Sequence, residues 1–232
     1  MKSIVKKVKK NKQLDPFYPV FDSVEWLRRL LPLGIKLVQL RIKSMPEAKL
    51  RQQIVLAKEL TEKANCQLIL NDHWQLAIEL GCDFIHLGQE DLDVADIDAI
   101  RQAKIKIGIS THSKLELERA LKLDPEYIAL GPVYPTILKK MPWAPQGLDR
   151  VTHWKSRVGD TPLVGIGGLS LQRAQGVFDA GADVVALVTD ITLNANPEQQ
   201  VKAWIKLTEP YRSIRTKLYI PPLTFTTSPS HF

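Results

Sequence analysis

The feature that most constrains the fold of this chain is a regular alternation of short apolar runs with longer helix-compatible segments. Eight runs have the length and composition of strands, and they are residues 17–21, 35–41, 66–70, 83–87, 104–110, 126–130, 162–166 and 183–188. The segments between them carry apolar residues at helical spacing, as in Leu50, Ile54 and Ala57. This alternation predicts an α/β fold, a parallel (β/α)8 TIM barrel. A doubly wound open sheet is the alternative, but it normally uses fewer strands, and the first loop has no GxGxxG.

Composition and charge limit the class of protein. Hydrophobic residues make up 44% and charged residues 25% of the 232 residues, as in soluble globular proteins. No apolar run approaches the roughly 18 residues of a membrane span, and no apolar segment follows the N-terminus to make a signal peptide. Cys66 and Cys82 lack the spacing of metal sites and indicate reduced thiols, so we expect a cytoplasmic protein.

The chain divides into three parts by composition. We expect one catalytic barrel over residues 15–209, a basic N-terminal extension over 1–14 and a Pro/Thr/Ser-rich C-terminal extension over 210–232. The net charge of +7 depends on six lysines within the first twelve residues. This tail is either solvated or a weak tether to nucleic acid, and its lack of aromatic residues makes nucleic acid an unlikely partner. A homo-oligomer is compatible with the sequence.

The segment after the second strand carries three polar residues with a period of two. Gln39, Arg41 and Lys43 therefore share one face of the strand, while the apolar residues between them share the other. Active sites of β/α barrels lie at the C-terminal ends of the strands. A cationic row at this end requires an anion or a polar ligand, unless it forms a salt-bridged rim.

Two aspartates follow the third and fourth strands. Asp72 stands in Asn71-Asp72 and Asp91 in the sequence GQED, at equivalent heights on neighbouring strand ends. Two carboxylates beside Arg41 and Lys43 suggest a hard cation such as Mg²⁺, which binds one or two carboxylates together with water and phosphate oxygens. The alternatives are that Asp91 caps the next helix and that Asp72 pairs with Arg41.

The fifth strand ends in STH, which offers two further candidates. Ser110 could donate to a phosphate, or it could be the N-cap of a helix that starts near Lys114. His112 could be a general base, but no nucleophile accompanies it.

The last two strands end in anion-binding patterns. A glycine pair in GIGGL, which includes Gly168, precedes a helix, and Val188-Thr189 follows the last strand. Backbone N–H groups at such positions bind phosphate in many barrels. The alternative is that the glycines only make a tight turn.

The long loop LGPVYPTILKKMPWAPQG, residues 130–147, follows the sixth strand. Its prolines exclude a helix interior or a central strand, and loops of this length are usually functional or disordered. We interpret it as a stiffened lid on which Lys139 neutralises one phosphate and Thr136 reaches another.

Taken together, these motifs resemble the thiamine-phosphate synthase family over residues 17–208, nearly all of the folded part. The segments that carry the resemblance are QLRIK, ILND, HLGQEDL, GISTH, GPVYPTILKK and VGIGGL. The family is a β/α barrel that joins hydroxymethylpyrimidine diphosphate to a thiazole phosphate with Mg²⁺, giving thiamine phosphate and pyrophosphate.

The resemblance implies Arg41, Lys43, Ser110 and Lys139 as catalytic residues, since they would contact the diphosphate. It implies Gln39 and Asn71 as further contacts of the pyrimidine substrate, and Asp72 and Asp91 as Mg²⁺ ligands. Thr136, Gly168, Val188 and Thr189 would hold the thiazole phosphate.

Two positions depart from the family pattern. Leu138 replaces a loop threonine, which loses a hydroxyl that would contact the thiazole phosphate, while Thr189 replaces a serine and keeps the hydroxyl.

Three rival functions stay open on the residues alone. The first is a thiazole tautomerase, which would not need Asp72, Asp91 and Lys139. The second is an epimerase, which would need an acid/base pair. The third is a degenerate barrel that senses a phosphate ligand or is tethered to RNA.

Overall fold

The computed structural model describes residues 13–137 and 144–217, with side chains described up to residue 212. Eight strands are present, and they are β1 Phe17–Phe21, β2 Leu37–Leu40, β3 Gln67–Asn71, β4 Phe84–Leu87, β5 Lys106–Thr111, β6 Tyr127–Leu130, β7 Leu163–Ile166 and β8 Val184–Leu187. They pair in parallel in chain order, and β8 returns to β1 to close the barrel. The predicted (β/α)8 barrel is therefore confirmed, and the open sheet is excluded.

Helices follow the strands on the outside of the barrel. The described helices are α1 Val24–Leu30, α2 Glu47–Lys63, α3 Trp74–Glu79, α4 Gln89–Val94, α5 Ile97–Gln102, α6 Lys114–Leu121, α7 Gly147–Val158, α8 Leu171–Asp179, α9 Thr189–Thr192 and α10 Pro197–Lys217. Two short helices, α4 and α5, follow β4, where the sequence predicts one. On α6, Leu117 is buried but Leu115 is 78% exposed.

Side chains on the two faces of the strands form two separate apolar clusters, as the period of two requires. The outward cluster packs under the helices and includes Val38, Leu40 and Ile42. The inward cluster fills the barrel axis and includes Leu37, Ile69, Phe84, Tyr18, Tyr127, Ala129, Val164, Val184 and Ala186. The prediction that the apolar residues of this segment lie on the face opposite Gln39 is confirmed.

The last helix runs past residue 209, where the sequence suggested that the barrel ends. The Tyr211 ring stacks on Phe178 at 3.8 Å between centroids. The Arg212 guanidinium donates to both carboxylate oxygens of Asp15 at 2.5 and 2.8 Å. These contacts tie the start of the C-terminal extension to the barrel, although α10 contains Pro210. Residues 1–12 and 218–232 lie outside the described part.

Candidate active site

The cationic row after β2 lies at the C-terminal mouth of the barrel. Gln39 is 4% exposed and points into the barrel, where its Nε2 donates to the Tyr18 hydroxyl at 2.7 Å. The Arg41 backbone N–H donates to Phe21 at 2.7 Å, while its guanidinium makes no ion pair or hydrogen bond within the described residues. Lys43 is exposed and forms an ion pair with Asp72. The alternative that Asp72 pairs with Arg41 is therefore wrong, since Lys43 is its partner.

Asp72 occupies an unusual backbone conformation at the end of β3. Its φ is +63°, in the left-handed region that non-glycine residues rarely adopt. The turn is fixed by hydrogen bonds from the N–H of His73 to Asn71 and from the N–H of Trp74 to Asp72, at 2.8 and 2.6 Å. The His73 Nε2 also lies 2.9 Å from the carbonyl oxygen of Ile42, which joins this turn to the loop after β2. Strain of this kind is held by its surroundings and is concentrated at functional sites.

The carboxylates of Asp72 and Asp91 lie within hydrogen-bonding reach of each other. Burial would raise the pKa of Asp72, but the hydrogen bond and the charge of Lys43 outweigh burial and leave this pKa below its usual value. Burial raises the pKa of Asp91, and the neighbouring charge of Asp72 adds to the rise. Asp91 also accepts from the backbone N–H of Gly88 at 2.8 Å at the start of α4. Asp91 is therefore not the N-cap of α4, which is Gly88, but its carboxylate takes part in the cap from the third position of the helix.

The carboxylate pair fits a hard cation of the Mg²⁺ type. The pKa of Asp91 is raised in part by the negative charge of Asp72, and a divalent cation bound to both carboxylates would offset this repulsion. Across residues 13–137 and 144–217 no group of three or more His, Cys, Asp or Glu side chains could enclose a metal ion. Two carboxylates alone suit Mg²⁺, which commonly takes its other ligands from water and substrate phosphates.

Asn71 has a donor without an acceptor. It is 4% exposed, and its Nδ2 is the one buried side-chain nitrogen or oxygen of the described residues that lacks a hydrogen-bond partner. An unsatisfied buried donor costs roughly 1–3 kcal/mol, so this group is expected to pair with a ligand.

A chain of hydrogen bonds crosses the barrel interior below the mouth. The Tyr18 and Tyr127 hydroxyls lie 2.9 Å apart, and the Tyr127 hydroxyl lies 2.6 Å from Nδ1 of His86. The Nε2 of His86 lies 2.7 Å from Oγ of Ser110. We call Gln39, Tyr18, Tyr127, His86 and Ser110 the polar chain. Ser110 is therefore not a helix cap: Ser113 holds that position at α6 and accepts from the N–H of Glu116.

Sequence reasoning missed three members of the polar chain, namely Tyr18, His86 and Tyr127. Their signal is the strand period of two: His86 lies two positions after the inward Phe84, and Tyr127 lies two positions before the inward Ala129. Tyr18 lies four positions after the inward Leu14, which precedes β1. His112 is the general-base candidate of the sequence, but its Nδ1 and backbone N–H both bind Glu116, at 2.9 and 2.6 Å.

The glycine pair after β7 contacts the loop after β6. Gly167 and Gly168 have φ values of +100° and +63°. A Cβ at Gly168 would lie 2.3 Å from the carbonyl oxygen of Pro135, and one at Gly167 would lie 2.6 Å from Pro132. The glycines therefore admit the loop backbone as well as making the turn. The Gly168 carbonyl oxygen accepts from Arg173 at 2.6 Å.

The remaining predicted site residues lie near this end of the barrel or outside the described part. Val188 and Thr189 are partly exposed and begin the short helix α9, directly after β8. Thr136 is partly exposed in the loop after β6. Lys139 and Leu138 fall within residues 138–143, outside the described residues.

Comparison with known proteins decides the family. The model of the family described as thiamine monophosphate synthase matches residues 15–191. The chain belongs to the thiamine monophosphate synthase family. This family membership assigns the chain to the transferases of thiamine biosynthesis.

Curated relatives and solved structures of the thiamine monophosphate synthase family agree with this assignment. The thiamine-phosphate synthase of Rhizobium etli is 57% identical over 202 residues, which cover 87% of this chain and 99% of the relative. That of Proteus mirabilis is 46% identical, covering 83% of this chain and 89% of the relative. The structure of the thiamine phosphate pyrophosphorylase of Pyrococcus furiosus superposes with a TM-score of 0.76 at 25% identity, over 87% of this chain and 98% of that one.

Proposed function

We propose that the chain condenses 4-amino-2-methyl-5-hydroxymethylpyrimidine diphosphate with 4-methyl-5-(2-phosphoethyl)thiazole, giving thiamine phosphate and pyrophosphate. The observation that carries the proposal is the clustering of diphosphate-binding groups at the ends of β2 to β5. Among the residues that the structure describes, Arg41 has no anionic partner, Lys43 pairs only with Asp72, and Asn71 has a buried donor without an acceptor. A bound diphosphate would give Arg41 and Asn71 the partners that they lack, and it would give Lys43 a second anionic partner.

The reaction breaks one C–O bond and forms one C–N bond. The thiazole nitrogen attacks the methylene carbon of the pyrimidine, and the electron pair of the broken bond leaves with pyrophosphate. The attacking nitrogen carries no proton, so no general base is needed. This requirement agrees with the binding of His112 to Glu116 and with a site made of cations and hydrogen-bond donors.

Negative charge accumulates on the diphosphate as the C–O bond breaks. Arg41 and Lys43 would neutralise this charge from one side and Lys139 from the loop, while Ser110 and Asn71 would donate hydrogen bonds. Preorganised groups of this kind commonly supply the largest part of catalysis. Asp72 and Asp91 would hold Mg²⁺, which when bound supplies further positive charge to the leaving oxygens.

The bond breaks dissociatively in this proposal, because the amino-pyrimidine ring stabilises positive charge on its methylene carbon. Gln39 would contact the pyrimidine ring from the barrel interior. An ¹⁸O label in the bridging position tests the order of events. Scrambling of the label into the non-bridging positions of unreacted substrate is expected with a non-nucleophilic thiazole analogue, and a retained label would argue for concerted attack.

The second substrate would bind beside β7 and β8. Thr136, Gly168, Val188 and Thr189 would surround its phosphate, where barrels commonly bind phosphate through backbone N–H groups. Holding both substrates in line supplies several kcal/mol of the lowered barrier, roughly up to 7–11 for ideal alignment. We also propose a cytoplasmic location, because both substrates are charged small molecules and both cysteines are free thiols.

The experiment that tests the proposal is product formation in a matched pair of variants. Thiamine phosphate would be measured by mass spectrometry with both substrates and Mg²⁺. Asp91→Asn keeps an acceptor for the Gly88 N–H but removes the charge that would bind Mg²⁺, so turnover is expected to fall by at least roughly 100-fold. Asp93→Asn is the control, because Asp93 is 66% exposed and pairs with Arg119 on the outside. Equal activity of the two variants would refute the metal site.

A further inference from the structure

The polar chain leads from the barrel interior, below the mouth, to the predicted diphosphate site. It starts at Gln39, passes through the two tyrosine hydroxyls and ends at Ser110, which is partly exposed at the mouth. His86 is the link between Tyr127 and Ser110, with 2.6 Å on one side and 2.7 Å on the other. His86 itself does not contact the substrates in the reaction proposed for this site.

The Gln39 end of the polar chain sets the direction of its hydrogen bonds. The Gln39 Nε2 is a donor only, so the Tyr18 hydroxyl accepts from it. The Tyr18 proton then points to the oxygen of Tyr127, and the Tyr127 proton points to Nδ1 of His86. The opposite direction would leave the Tyr18 proton with two neighbours that both donate, at a cost of roughly 1–3 kcal/mol.

The position of the ring proton of His86 determines the direction of its hydrogen bond with Ser110. A ring nitrogen that accepts a hydrogen bond carries no proton, so the imidazole then has its one N–H on the other nitrogen. Nδ1 accepts from Tyr127, so the proton lies on Nε2 and is donated to Oγ of Ser110. The Ser110 hydroxyl proton is then left to point away from His86, into the mouth.

We propose that His86 is a positioning residue for the transfer: it donates to Ser110 through Nε2 and so directs the Ser110 hydroxyl proton to the leaving diphosphate. This inference rests on the function proposed above. A serine hydroxyl has one proton and can give it to either neighbour. A fixed donor on one side removes that choice, which preorganises the hydroxyl for the charge that develops on the leaving group.

The first test is independent of catalysis. ¹⁵N NMR of the histidine rings in the full chain distinguishes a protonated from an unprotonated ring nitrogen, and His86→Asn identifies the signals of His86. We expect a neutral ring with the proton on Nε2. A proton on Nδ1, or on both nitrogens at pH 7, would overturn the proposal.

The second test is a double-mutant cycle on kcat. His86→Asn keeps an acceptor for Tyr127 but cannot reach Ser110, and we expect it to lower kcat roughly 10- to 100-fold, as the loss of an orienting partner commonly does. In a Ser110→Ala background the same change should lower kcat by less than about twofold, because the group that it orients is gone. Equal effects in both backgrounds would show that His86 acts on folding or packing alone.

Rescue and a surface control complete the design. His86→Gln carries an amide N–H near the position of Nε2, so its kcat is expected to lie above that of His86→Asn, and an equal or lower kcat would contradict the proposal. His153→Asn changes an exposed histidine on α7 and should match the unchanged protein. If the unchanged protein makes no thiamine phosphate, the proposed function fails, while the NMR measurement still decides the direction of the polar chain.

Discussion

Replacement of Gly108 by alanine tests the packing that places the polar chain. Gly108 lies on β5 directly opposite Tyr127 on β6. A Cβ at Gly108 would lie 2.1 Å from Cζ and 2.6 Å from the hydroxyl oxygen of Tyr127. The absence of a side chain at Gly108 is therefore what admits the tyrosine ring.

Neighbouring rings and two hydrogen bonds hold the Tyr127 ring in place. Phe84 lies against it at 5.7 Å between centroids, Tyr18 meets it edge-on at 5.9 Å, and its hydroxyl binds both Tyr18 and His86. Overpacking of a core usually costs 1–3 kcal/mol, and displacement of the hydroxyl adds about 1 kcal/mol. We expect Gly108→Ala to lower the free energy of unfolding by about 3 kcal/mol, or Tm by roughly 6–12 °C.

Urea unfolding followed by tryptophan fluorescence measures this effect. Gly176→Ala on α8 is the matched control, because its Cβ would meet a flexible Leu148 methyl at 3.3 Å and the Tyr134 hydroxyl at an ordinary 3.8 Å. Alanine also favours the helix by up to about 1 kcal/mol. Activity should fall in Gly108→Ala, since the displaced Tyr127 no longer orients His86. A Gly108→Ala protein as stable and as active as the Gly176→Ala control would refute the reasoning.

Three further predictions concern pH, the last helix and the loop. His86 has a pKa of about 4 when folded and about 6.5 when unfolded, so the unfolded state takes up the proton first as pH falls. The free energy of unfolding should therefore fall by about 3 kcal/mol between pH 6.5 and 4, and equilibrium unfolding at several pH values should show most of this fall missing in His86→Asn. Arg212→Ala removes the cationic partner of Asp15, which keeps the N–H of Phe17, and should cost about 2 kcal/mol in thermal unfolding, whereas an unchanged Tm would show that α10 does not depend on this pair. Leu138→Thr should lower the KM for the thiazole phosphate roughly 2- to 10-fold in steady-state kinetics, and an unchanged KM would mean that the loop binds this phosphate in another way.

The strands and their inward faces could be predicted because each depends on local pattern. Gln39 was placed inside the barrel by the period of two alone, and the strand positions agree with the structure within two residues at each end. The rest depends on contacts between distant segments. The sequence shows Tyr18 and Tyr127 as ordinary apolar-run residues, and only closure of the barrel brings their hydroxyls together across 109 positions of the chain.

The pairing at Asp72 shows a different limit of sequence reasoning. Its partner depends on the left-handed turn after β3, and neither Arg41 nor Lys43 is favoured by spacing alone. The end of α10 was obscured by Pro210, which usually ends or kinks a helix at a cost of about 3 kcal/mol. Here the contacts of Tyr211 and Arg212 with the barrel offset this cost.

Pyrophosphate release by the purified protein tests the central claim most directly. The protein would be given hydroxymethylpyrimidine diphosphate and Mg²⁺, with and without the thiazole phosphate, and pyrophosphate would be measured over time. The account predicts multiple turnovers that require the thiazole phosphate and stop when Mg²⁺ is chelated. The absence of release with both substrates and Mg²⁺ saturating would mean that the site binds without reacting, which would contradict the account.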